Sequence, residues 1–104
     1  MPISQSLYRE IANQYQLDLE GIHGIFHWQR VEKFGLMLAE VTKADLEVIS
    51  YFSYLHDSKR QDDFEDINHG LRAAEFVGKL YNVANCIGLK YFVIFFYIFN
   101  SNKF

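Results

Sequence analysis

The chain has 104 residues, half of them apolar and 22% charged, with a formal net charge of −3 at pH 7. That length bounds it to one domain with a modest core. The acidic balance excludes a general nucleic-acid coat, which needs a basic surplus for the phosphate backbone, but leaves room for one bound nucleotide. A single cysteine, Cys86, excludes an intramolecular disulfide.

Met1 to Gln5 carries neither a basic n-region nor an apolar h-region, so no secretory leader is expected and the cytoplasm is the expected compartment. Ser4 or Ser6 can cap a first helix in which Leu7, Ile11 and Tyr15 recur at four-residue intervals. Leu17 to Gly24, broken by Gly21 and Gly24, reads as a connection. A second helix is expected from about Ile25 to Glu40, with Val31, Phe34, Leu38 and Val41 as its apolar stripe. Thr42 followed by Asp45 resembles a capping box with Asp in place of Glu, and would open a third helix ending near His56.

Ser58 to Glu65 is a charged connection without periodicity. Asp66 or Asn68 can cap a fourth helix running to about Tyr81. No strand alternation occurs before residue 88 and no repeat is visible, so the expected class is all-α.

From Gly88 to Phe104 the chain changes character: 13 of 17 residues are Phe, Tyr, Ile, Asn or Lys, with no acid and no Ala. The expected organisation is a helical domain over 1–87 and an atypical aromatic-rich segment over 88–104. Those five amino acids come largely from A/T-rich codons, so a frameshifted or premature ending is one reading. An amphipathic or buried final helix is the other. The apolar run Tyr91–Phe99 is nine residues, short of the about 20 that a spanning helix needs, so no membrane segment is predicted.

The helical stripes orient the histidines. His27 lies four residues before Val31, in line with Phe34 and Leu38. His56 aligns with Leu46, Ile49 and Ser53, and His69 with Ala73, Phe76 and Leu80. Three of the four histidines are thus expected to converge on a bundle interior from three helices, as inward ligands do in metal-binding bundles. One such histidine alone is more often a core residue bonded to a backbone carbonyl. Imidazole and carboxylate together are donors that divalent cations favour, and Asp57 adjoins His56. His23, between Gly21 and Gly24, is expected at the rim or in solvent, as a competitor to His27.

His27-Trp28-Gln29-Arg30-Val31, then Tyr54-Leu55-His56-Asp57, then Asn68-His69-Gly70-Leu71-Arg72-Ala73-Ala74-Glu75-Phe76 resemble the HD superfamily of metal-dependent phosphohydrolases. The resemblance covers about Gly21 to Leu80. It implies an HD-domain-like helical bundle of five or more helices, altered or truncated at its C-terminal end, with a divalent metal at its centre. His27, His56 and Asp57 would be the ligands, and the ion could be Mn, Fe, Ni, Zn, Co or Mg. The implied activity is hydrolysis of a small phosphate ester or nucleotide. Asp57, His69, Arg60 and Arg72 would form the catalytic set, with His69 a second-metal ligand or phosphate donor and the arginines offsetting phosphate charge. Arg30 and Lys59 are further nearby cations; a solvated mixed-charge loop is the better reading for Lys59 and an equal alternative for Arg60 and Arg72.

The family's closing Asp, on a later helix, has no counterpart: no acidic residue follows Glu75, and Asp62, Asp63 and Asp66 all lie within ten residues of the pair. A phosphohydrolase, a catalytically impaired remnant or binding module that keeps the fold, and a structural domain with core histidines are the three functional expectations. Core surface left open by missing late helices would be covered by the aromatic segment or by a second copy of the chain, so a homo-oligomer is expected.

Overall fold

The computed structural model describes the backbone of residues 3–84 and the side chains of residues 3–80. The aromatic segment, its expected role in oligomerisation, the boundary at 87/88 and Cys86 lie outside the described residues. Within them the chain is all-helical, with α1 at Gln5–Gln14, α2 at Ile25–Thr42, α3 at Leu46–Leu55 and α4 at His69–Ala84. None of these helices is long and apolar enough to cross a membrane.

Helix α1 starts where Ser4 accepts a hydrogen bond from the Leu7 amide, 3.1 Å away. Its stripe points inward as expected: Ile11 and Tyr15 are buried and Leu7 packs against the same cluster. The Gln14 amide then donates to the carbonyl of Ser58, fastening the end of α1 to the turn after the His-Asp pair.

Helix α2 begins at Gly24, where the turn is too tight for a side chain. A Cβ there would lie 2.1 Å from the Leu19 carbonyl oxygen, which accepts from the Ile25 amide. The helix runs through Thr42, so Thr42 does not cap α3; Lys43 closes α2 in the left-handed region at φ 60°. Asp45 is the cap of α3, its carboxylate accepting from the amides of Glu47 and Val48.

The stripe expected to bury α2 does not do so. Phe34, Leu38 and Val41 are 57%, 65% and 83% exposed. The covered face instead carries Trp28, Glu32, Gly35 and Ala39, at spacings of four, three and four residues. Gly35 permits the close approach of α3, because a Cβ there would sit 2.7 Å from Cγ2 of Ile49. Glu32 accepts from the Tyr54 hydroxyl at 2.9 Å. Apolar residues occupy both faces of α2, and packing of Trp28 against Tyr15 and Tyr54 selects the second. Leu46, placed on the His56 stripe, is likewise 56% exposed, whereas Ser53 is fully buried.

Edge-to-face contacts link Tyr15 to Trp28, Trp28 to Tyr54 and Tyr54 to Tyr8, tying α1, α2 and α3 together. Ala73, Ala74, Phe76 and Val77 bring α4 into the same core.

Candidate metal centre

His27, in the first turn of α2, lies one position from the buried Trp28 and thus at the edge of the covered face. Two bonds fix the approach to it: the Tyr15 hydroxyl and the Trp28 indole N–H both donate to the carbonyl of His23, at 2.9 and 2.8 Å. His56 closes α3, whose last carbonyls lack helical partners. Its Nδ1 lies 3.0 Å from the Phe52 oxygen and 3.1 Å from the Ser53 oxygen. His69 opens α4, and its Nδ1 bonds to the carbonyl of Asp66.

All three imidazoles meet at Asp57, which is 3% exposed. His27 Nε2 and His56 Nε2 lie 3.1 and 3.4 Å from Asp57 Oδ2. Arg60 Nε and His69 Nε2 lie 3.1 and 3.5 Å from Oδ1. Burial raises the pKa of the Asp57 carboxyl, but hydrogen bonds from His27 and His56 and the charges of His56 and Arg60 outweigh it, holding the group ionised well below the usual carboxylate range. The expected convergence from three helices is therefore present in the fold.

The donor chemistry decides whether a metal fits. A carbonyl only accepts, so Nδ1 of His56 and of His69 must each carry a proton. In its neutral form each ring then has Nε2 left as a ligand atom, which a cation can take up in place of the contact to Asp57. Ligand atoms of His27, His56 and Asp57 all lie within 4.8 Å of one another, so this group could hold a metal ion. The backbone carbonyls behind His56 and His69 are the outer partners that fix a ligand histidine's tautomer.

The cluster forms the floor of a cavity of 370 Å³, walled by Val31, Phe52 and Arg60 as well. The Phe52 ring stacks on His56 at 4.8 Å and 7°, restraining that imidazole from the apolar side. Comparison of the chain with family models, with curated proteins and with solved structures gives no match. The chemistry of the site therefore stands on its own geometry.

The remaining expected residues sit as follows. Arg60 lines the cavity and also donates to the Asp62 carbonyl. Arg72 does not line it: its guanidinium is clamped by the Asp66 carboxylate and bonded to the Lys59 carbonyl. Lys59 stands over the Phe76 ring, 4.6 Å from its centroid, and Arg30 is exposed outside the cavity. His23 is half-buried rather than solvated. Its Nδ1 meets Asp63 Oδ1 at 3.1 Å and its ring packs edge-on against His27. That link joins loops 40 residues apart, and neither loop has a periodicity that could have announced it.

The acids after the pair are committed. Asp62 accepts from the amides of Phe64 and Glu65, Asp63 faces His23, and Asp66 holds Gln61 and Arg72. None of these three joins the cluster.

Proposed function

We propose that the chain is an HD-type, metal-dependent phosphohydrolase in which His27, His56 and Asp57 bind one divalent cation and the cavity above them takes a small phosphate ester or nucleotide. The observation that carries this reading is that ligand atoms of His27, His56 and Asp57 lie within 4.8 Å of one another at the floor of an open cavity. When bound, such an ion supplies Lewis-acid activation of water and of a phosphoryl oxygen at neutral pH.

The residues of the chain supply the rest. Asp57 fixes Arg60 through Oδ1, so a permanent positive charge borders the space a phosphoryl group would enter. His69 offers a third imidazole, as a ligand to a second ion or a donor to phosphate. Val31 and Phe52 give the cavity an apolar wall, which strengthens charge interactions inside it.

A second reading, a binding module with impaired turnover, is favoured by the commitment of Asp62, Asp63 and Asp66 elsewhere. Without a further carboxylate, orientation of the attacking water falls to His69 and Arg60 alone. A phosphatase screen with Mn²⁺, Mg²⁺, Ni²⁺ and Co²⁺ separates the two. Turnover that disappears in Asp57→Asn supports the enzyme. Stoichiometric binding with no turnover under any metal supports the module, and no metal uptake sets both aside.

A further inference from the structure

Arg72 was expected at the metal centre and stands instead in a second cavity, of 210 Å³, which shares no lining residue with the first. Three of the chain's ten Lys and Arg residues, Lys59, Arg72 and Lys79, border it, against one acid, Glu75. The carboxylate of Asp66, which does not line the cavity, pairs with Arg72. Among the described residues, Lys59 and Lys79 make no ion pair. In a chain with a net charge of −3, this is a local reversal of sign.

The cavity is also a built structure. Phe76 forms one wall and holds the Lys59 ammonium over its ring face at 4.6 Å. The Lys59 carbonyl receives Arg72 Nε at 3.1 Å, so the two cationic residues are tied through the backbone. Gln61, whose backbone amide is anchored on Asp66, adds side-chain amide donors. An ammonium pair, a planar guanidinium and amide donors around one small space match the oxygens of a phosphate group.

We propose that this cavity is a second anion site that takes a phosphate-bearing ligand, separate from the metal centre. Asp66 connects the two sites: its carboxylate holds Arg72 at the anion cavity, and its carbonyl holds His69 at the metal cluster. None of the residues bordering this cavity is a proposed metal ligand, so its test uses the metal-stripped full chain.

Inorganic phosphate and pyrophosphate are titrated at constant ionic strength while backbone amide resonances are followed by NMR. The expected result is saturable shifts at Lys59, Gln61, Arg72 and Lys79. The Lys59→Gln/Lys79→Gln double variant should bind about ten-fold more weakly or worse, and Lys59→Arg/Lys79→Arg should restore binding. His27→Ala should bind as wild type, with circular dichroism confirming the fold of each variant. Shifts centred on His27 and His56, loss of binding in His27→Ala, an unaffected double variant, or no saturation by the wild type would each overturn the proposal.

Discussion

His56 donates its Nδ1 proton to the carbonyl of Phe52, 3.0 Å away, and that bond decides what the ring offers Asp57. One group satisfies the open end of α3 and turns Nε2 toward Asp57 and the cavity. Replacing His56 by Ala should remove both effects. Metal affinity should fall at least about 100-fold, and unfolding free energy by about 1 kcal/mol from the lost cap. Metal titration and urea denaturation of the same variant measure the two separately.

Tyr15 makes the alkaline limit of stability partly predictable. Burial, with the nearby charges of Asp63 and Asp57, raises its pKa above the ordinary tyrosine value, and its hydroxyl donates to His23. A group whose folded pKa is raised contributes fully below its unfolded pKa and loses that contribution as pH rises beyond it. The loss should therefore begin above about pH 10. Tyr15→Phe should cost about 1 kcal/mol at neutral pH and flatten the alkaline fall. Tyr54, shifted in the same direction by burial and by its bond to Glu32, sustains the remainder. Urea midpoints between pH 7 and 12 test this.

Gly24 sets the entry angle of α2 and so the position of His27. A methyl at Gly24 would overlap the Leu19 carbonyl, a backbone atom that cannot swing aside. Gly24→Ala should destabilise by roughly 3 kcal/mol or more and weaken metal binding in whatever fraction stays folded. Thermal melts with and without added metal show both.

Lys43 holds a left-handed backbone that glycine adopts without strain. Lys43→Gly should raise stability by about 0.5–1 kcal/mol, the relieved strain exceeding the added chain entropy, and leave metal binding unchanged. Chemical denaturation midpoints give the sign directly.

The starts of α1 and α2 were legible because each carries a local signal, Ser4 before α1 and Gly24 before α2, whereas the Thr42–Asp45 signal put the cap of α3 at Thr42 instead of Asp45. The convergence of His27, His56 and His69 was legible in part. Ser53 and Ala73, at fixed offsets from His56 and His69, are buried, whereas Phe34, Leu38 and Leu46, which oriented His27 and His56 in the sequence, are exposed. The orientation of α2 was not legible. Phe34, Leu38 and Val41 form as good a stripe as Trp28, Gly35 and Ala39, and only the fit of Trp28 between Tyr15 and Tyr54 chooses between them. The pairings His23–Asp63 and Arg72–Asp66 join loop residues through side chains alone, and no periodicity encodes them.

Binding of one divalent ion by His27, His56 and Asp57 is the claim on which the proposed function rests. Elemental analysis of the full chain, purified without added metal and again after exposure to Mn²⁺, Ni²⁺, Co²⁺ and Zn²⁺ followed by desalting, tests it most directly. The account predicts about one tightly held divalent ion per chain in the wild type and loss of that ion in a folded Asp57→Asn variant. A wild type that retains none of these ions, or an Asp57→Asn variant that retains as much as the wild type, would contradict it.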